Sequence, residues 1–411
     1  MKDSMFFKKI EMVFLSLMIL SLPSLEAPKN IFLIMFVITA LFRRFRTGWV
    51  DALDSWSWIF FAIVGTGLLS TIFAGMPSLG EWNGYRVLLT MISVAWLVSI
   101  AGYSEKEISW LFGLTIASTI PPLLWGGYEL YFLQTKQFLQ LHSVGHVNHS
   151  AIYLTMIFGA SLGWMMVLWA RLTLANKILM LLTSSTFFIS LIIGQSRAAF
   201  GVALLIAFLL IALLKGERRF KIGVIGLLAS LSFLAIAFNA EIVNKELTQE
   251  RNNDFLSGRD KVWNVSLEAA RFHPLLGIGM SNWKYITQED IRKSLESRGK
   301  SYNPQDYYTH PGHSHSLYLT ALVDRGVVGL ATTILFMIFW LRHLIITFRY
   351  ANSSRVGAFL WSGSFSAWMV TFGIGLVNTT FHHEHGILAC LFLAFYLSWC
   401  KGHCDLNKAF N

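Results

Sequence analysis

Two histidines stand one residue apart in HSHSLYLTALVDRGVVGL, His313 and His315, at the head of an otherwise apolar run. A second group, His382, His383 and His385, sits in NTTFHHEHG. Closely spaced imidazoles suit metal ligation or proton transfer. Zinc accepts imidazole ligands, yet a helix brings residues i and i+4 to one face, so pairs that are adjacent or two apart would need a site assembled from loops, which argues against metal. A neutral imidazole with its ordinary pKa of about 6.5 suits a general base at neutral pH. Taken singly, a histidine at a membrane interface is more often an amphipathic boundary residue than a ligand or a base.

The arginines are more specific. Arg197 in GQSRAAFGVALLIAF follows Ser196, which is expected to cap a helix through its side chain. Arg259 in LSGRDKVWNVSLEAARFHPLLGIG follows Ser257 and Gly258 and heads a helical run, Asp260 to Phe272, closed by Pro274. Helix N-termini offer free N–H groups and the positive end of the dipole to an anion. A guanidinium added there grips two phosphate oxygens at once. The bland alternatives are a snorkelling interfacial arginine for Arg197 and a loop salt bridge with Asp260 for Arg259. In the same run Val262, Trp263, Leu267 and Ala270 suggest one apolar face, lying over a lipid cavity or packed on the membrane domain.

The elements that must position these groups are membrane helices. Of 411 residues 55% are hydrophobic and 14% charged, with a mean hydropathy of +0.54, which excludes an ordinary soluble domain. Apolar runs near 10–25, 31–42, 56–73, 87–102, 108–132, 149–169, 178–194, 198–214, 222–239, 317–341, 356–377 and 385–400 predict about twelve transmembrane helices in one polytopic domain spanning 1–411. The first run is read as a retained helix rather than a signal peptide, because no small-residue cleavage site follows it. Residues 240–316 form one long loop between the ninth and tenth spans.

Charge sets the orientation. With the N-terminus inside, inner segments carry 18 Lys and Arg, short outer loops carry 4, and the long segment holds 11. Both termini are therefore expected in the cytoplasm and the long loop outside. The net charge of +10 follows from this layout, so no nucleic acid is implied. Ten of the twelve histidines fall outside, among them His142, His146, His149, His273 and His310, which suggests a polar outer cavity. Cys390, Cys400 and Cys404 all sit in or just inside the last span and are read as packing residues.

A histidine and two arginines at the outer rim fit a polyprenyl diphosphate bearing a sugar. Held by cations, the diphosphate leaves readily, while the acceptor hydroxyl needs a base. A transporter would place ionisable or broken helices near the bilayer midplane instead.

These residues resemble the bacterial O-antigen ligases of the O-antigen ligase and polymerase superfamily. That family's signature is His, then Asn, Ser or Gln, nine residues, Gly, two residues, and Gly, Thr or Tyr. Here His315 and Ser316 precede LYLTALVDR, Gly326, Val327, Val328 and Gly329, and every fixed position matches. QSRAAF and GRDKVWNVSLEAARFHPLLGIGMSNW are similar to the superfamily's arginine segments, and the likeness runs from about Asn148 to Gly386. It implies an all-α integral membrane protein of GT-C-like glycosyltransferase architecture, without cofactor or metal. Its active site would lie on the periplasmic side of the bacterial inner membrane. It implies an undecaprenyl-diphosphate-linked O-antigen donor and a lipid A-core acceptor, with His315 as base and Arg197 and Arg259 as diphosphate clamp. His313 fits no fixed position and is read as a supporting residue or none. Gly326 and Gly329 are read as small residues that let the tenth span approach a neighbour. An O-antigen polymerase or a protein O-oligosaccharyltransferase using the same donor is the alternative. The chain runs only eleven residues past Cys400, which favours a lipid acceptor, since the protein-modifying relatives often carry further domains there.

Overall fold

A computed structural model describes residues 2–49, 53–78, 80–141, 144–238, 258–309 and 312–403. His142, His310, Ser257, Cys404 and the first part of the long loop, 240–257, lie outside the described residues. All regular structure among the described residues is helical. The helices used below are α1 (Lys2–Ser21), α2 (Glu26–Thr47), α3 (Ser55–Ile72), α4 (Glu81–Ile100), α5 (Glu105–Ala117), α6 (Ile120–Tyr131), α7 (Val147–Leu168), α8 (Leu174–Ile193), α9 (Arg197–Leu213) and α10 (Arg218–Phe238). Then come α11 (Arg259–Ala269), α12 (Gln288–Glu296), α13 (Leu317–Ala351), α14 (Arg355–Trp368) and α15 (His383–His403).

Among the described residues, eight helical segments are long and apolar enough to cross a membrane. They are the segments built on α3, α4, α5 with α6, α7, α8, α13, α14 and α15; α9, with 17 residues, is shorter. The chain is a multi-pass membrane protein. The fifth expected span is two helices that meet at Ser118 and Thr119, just before Pro121 and Pro122, because proline suits a first helical turn and not an interior.

Within a core of large apolar side chains, small residues mark the closest helix contact. Gly159 and Gly163 of α7 face Ser366 and Ser362 of α14, and a Cβ on either glycine would strike the opposing serine side chain. Lipid offers no hydrophobic drive for two apolar helices to associate, so close backbone approach at small residues holds such pairs. Beside them α15 is buried along almost its whole length, including Cys390 and Cys400.

At the end of the bundle that carries His315, α11 and α12 form a small cap with its own core. Val262, Val265 and Ala269 pack with Ile278, Trp283, Ile291, Leu295 and, from α13, Val323. The expected apolar face is thus rotated: Leu267 is 51% exposed, while Val265 and Ser266 point inward, Ser266 accepting from Trp283 Nε1 at 3.0 Å.

Helix α13 is broken at Gly326, where φ is +65° and ψ is −166°. Into the break comes the turn after α11. Val327 N–H donates to Pro274 O at 2.8 Å, Ile278 N–H to Val323 O at 2.9 Å, and Gly279 N–H to Asp324 O at 3.1 Å. A Cβ on Gly326 would strike the Leu275 carbonyl, and one on Gly277 the Asp324 carbonyl. The reading of Gly326 as a helix-packing residue is therefore corrected. It is required for a backbone conformation open only to glycine, which hooks the cap onto the membrane helix. Gly329 faces the Arg325 side chain and the Ala321 carbonyl of its own helix rather than a neighbouring one.

Candidate functional site

The break in α13 fixes a short helix, 317–325, whose N-terminal side carries the HSHS sequence. Ser316 caps it, its Oγ accepting from Leu319 N–H at 3.4 Å. Ser314 Oγ donates to Ser316 O at 2.8 Å and lies 2.6 Å from Thr320 Oγ1. Ser316 Oγ in turn donates to Gly375 O at 3.4 Å, and Tyr318 Oη to Phe372 O at 3.0 Å. Both acceptors lie where α14 loosens into a π turn, Met369–Gly373, and a 3-10 turn, Ile374–Leu376. Such irregular turns free carbonyls that a regular helix keeps for itself.

These bonds hold His315 in the left-handed region, φ +50°, which a non-glycine residue adopts at a cost. The turn brings the His313 and His315 rings to 4.1 Å between centroids. Nδ1 of His315 is buried with no hydrogen-bond partner. Burial pushes its pKa down to about 3, helped by the positive fields of His313, Arg259, His146 and His149. The expectation of a pKa near 6.5 is therefore corrected for this state of the site: the ring is neutral throughout the physiological range.

Arg197 and Arg259 are each the first residue of a helix, α9 and α11. The expected side-chain cap by Ser196 is not made; Ser196 is extended, φ −96° and ψ 102°, without a side-chain cap bond. Gly258, at φ +72°, turns the chain into α11 instead. Burial and the nearby Arg197 guanidinium lower the pKa of Arg259. Since Arg259 also acts on His315, one electrostatic neighbourhood links all three predicted residues, although they come from three separate segments.

Several of the described histidines expected outside lie close together. The His149 ring lies 5.8 Å from His146, 5.0 Å from His385 and 6.4 Å from His382. His273 instead packs against Gly75 in the α3–α4 connection. Neither HSH nor HHEH forms a metal-ligand set, and no group of three or more His, Cys, Asp or Glu among the described residues does so. Within HHEH, Glu384 is held by Lys29 in a buried ion pair, and His385 Nε2 is 3.3 Å from Thr379 O. Burial, then the fields of His383, His149 and His313, push the His382 pKa far below the ordinary value.

Beside the His313–Leu317 turn lies a cavity of about 310 Å³, lined by His149, His313 and His382 together with Lys284, Asp324 and Arg325. The last three were not singled out from sequence. Two of them had a signal, an Asp-Arg pair inside an otherwise apolar run, because ionisable residues in such runs mark function by default.

No curated protein and no solved structure matches the chain. Residues 178–334, a stretch that holds Arg197, Arg259, His315 and the break at Gly326, match the family model described as O-antigen ligase, so this part of the chain is similar to that family.

Proposed function

We propose that the protein transfers an O-antigen glycan from undecaprenyl diphosphate to a sugar hydroxyl of lipid A-core, in the ligase step of lipopolysaccharide assembly. The site works on the periplasmic side of the bacterial inner membrane, and both termini are cytoplasmic. The observation that carries this reading is the shared electrostatic neighbourhood of Arg197, Arg259 and His315. Two guanidinium groups at two helix N-termini suit a diphosphate, and a neutral imidazole beside them suits the deprotonation of an attacking hydroxyl.

The acceptor O–H gives its proton to the His315 ring as its oxygen bonds to the anomeric carbon. The bond from that carbon to the diphosphate oxygen breaks on the opposite face, so the configuration inverts. The electron pair leaves with the lipid diphosphate, where Arg197 and Arg259 stabilise the added charge. The proton on His315 then returns to water. The diphosphate linkage supplies the driving force, and neither nucleotide nor metal takes part.

A diphosphate bound at Arg259 offsets the positive field that depresses His315, so donor binding raises the basicity of the ring when it is needed.

The test is complementation in a strain that lacks its own ligase. The wild type should restore long-chain lipopolysaccharide on a gel, while His315→Ala, Arg197→Ala and Arg259→Ala should not. Equal restoration by His315→Ala would sink the base assignment. A lengthened lipid-linked glycan without conjugate would mark a polymerase, and a glycosylated protein would mark an oligosaccharyltransferase. With purified protein, activity that a chelator abolishes and zinc restores would overturn the metal-free reaction.

A further inference from the structure

Two side chains lining the cavity beside His315 each keep one polar atom without a partner among the described residues. Asp324 and Arg325 are only 6% and 7% exposed. Asp324 Oδ2 accepts from Ser281 N–H at 3.0 Å, yet its Oδ1 is buried with no partner. Arg325 Nη2 donates to Thr333 Oγ1 at 2.8 Å, yet its Nη1 is equally without one. Buried polar groups are almost always hydrogen-bonded, so a free acceptor and a free donor on adjacent residues of one cavity wall call for a ligand with both hydroxyls and oxygens.

The rest of the lining narrows the class. Val87, Leu88, Met91 and Phe381 give an apolar wall suited to the C–H face of a sugar ring. A volume of about 310 Å³ is at the small end of ligand pockets, enough for a compact ring rather than a polymer. The described lining includes neither Arg197 nor Arg259, but it does include His313 and Leu317, which flank His315. The cavity therefore serves the second substrate rather than the diphosphate.

We infer that this cavity seats a sugar of the acceptor, with Asp324 Oδ1 accepting from one sugar hydroxyl and Arg325 Nη1 donating to a neighbouring sugar oxygen. The inference rests on the ligase reading given above. It makes the Asp-Arg pair the determinant of which acceptor ring is presented to His315. A site built to bond a hydroxyl rejects a ring that lacks it far more strongly than an apolar pocket would.

The test uses the full-length protein in lipid nanodiscs, undecaprenyl-diphosphate-linked O-antigen as donor and rough lipopolysaccharide as acceptor. Asp324→Asn keeps the shape but turns an acceptor into a donor. It should raise the acceptor KM about tenfold to a hundredfold, the worth of one hydrogen bond to a charged group, while the donor KM moves less than about twofold. Lys284→Gln, at an exposed residue of the same lining, guards against a folding defect and should raise the acceptor KM by a smaller factor. An unchanged acceptor KM in both variants, or donor and acceptor KM rising together, overturns the assignment. So does inhibition competitive with the acceptor by inorganic phosphate but not by simple methyl glycosides. If the wild type forms no conjugate with rough lipopolysaccharide, the ligase reading fails and takes the assignment with it. If the wild type is active and the variants match it, only the cavity assignment falls.

Discussion

The backbone N–H of His315 donates to Nδ1 of His313 at 3.3 Å. This one bond gives the first histidine of HSHS a part: it closes the turn in which His315 holds its positive φ. The bond has the form of an Asx turn, in which a side-chain acceptor takes the N–H two residues on. His313→Ala should therefore loosen the His315 ring and lower kcat by roughly tenfold, since small misplacements of a reacting group are costly. His313→Asn keeps an acceptor at similar reach and should recover most of that loss. The check is kcat for both variants at saturating donor and acceptor. An alanine variant as active as wild type, or an asparagine variant no better than alanine, removes the positioning role.

The His315 ring carries a second expectation, in pH. Its pKa near 3 lies below the ordinary imidazole value because burial disfavours the charged ring and His313, Arg259, His146 and His149 repel it. As pH falls from about 6.5 towards 3, the unfolded chain takes up a proton that the folded site refuses, so this group costs stability only below about 6.5. The activity follows the same sign. Protonation of the free enzyme sets the acid limb of kcat/KM for the donor, and protonation of the donor complex sets that of kcat. Because a bound diphosphate favours the charged ring, the limb of kcat should lie at the higher pH. Coincident limbs would show that the diphosphate does not act on His315.

The sequence made much of the helical layout legible because apolar length is a one-dimensional signal, and the eight span-length apolar segments among the described residues all fall on expected runs. Arg197, Arg259 and His315 come forward through the resemblance in motif, and the three share one electrostatic neighbourhood. The departures all belong to the path of the backbone between elements. Ser196 had the right type for a cap but lies in a conformation that makes no side-chain bond. Leu267 fitted an apolar periodicity, yet the cap packs through Val265 and Ala269 because Val323 of α13 meets it on that side. Gly326 and Gly329 looked like a helix-packing pair because nothing in their spacing reveals that the turn at 274–279 enters between α13 and the α3–α4 connection. Arg325 counts among the basic residues of the long segment, and nothing in the spacing of Asp324 and Arg325 reveals that they line a cavity.

That break in α13 yields its own prediction. At φ +65° and ψ −166°, Gly326 occupies a region essentially closed to other residues, and a Cβ there would press on the Leu275 carbonyl. Gly326→Ala should cost about 1–3 kcal/mol from the backbone alone, with the steric clash added. It should also displace the cap that brings Arg259 to His315. The expected outcome is a lower melting temperature in detergent and loss of conjugate formation. Gly102 is also at positive φ, +68°, but has open space around a built Cβ, so Gly102→Ala should carry only the backbone cost and leave conjugate formation intact. If the two variants behave alike, the contact at Leu275 is not what makes Gly326 necessary.

The two arginines should not be equivalent. Arg259 is half-buried and feels Arg197, whereas Arg197 is exposed at the start of α9. Replacing either by lysine keeps the charge but removes the planar fork that bonds two phosphate oxygens at once. At the half-buried position the lost bond is worth about 1.5 kcal/mol or more, so Arg259→Lys should raise the donor KM by roughly tenfold. At the exposed position solvent and salt compete, so Arg197→Lys should raise it by less. Ionic strength separates the two contributions further. Between low salt and about 0.5 M, the penalty of Arg197→Ala relative to wild type should shrink as the wild-type interaction is screened, while that of Arg259→Ala should persist. The measurement is donor KM at saturating acceptor across the salt series. Equal salt dependence for the two alanine variants would place both guanidinium groups in the same solvent environment and dissolve the distinction between a buried grip and an outer one.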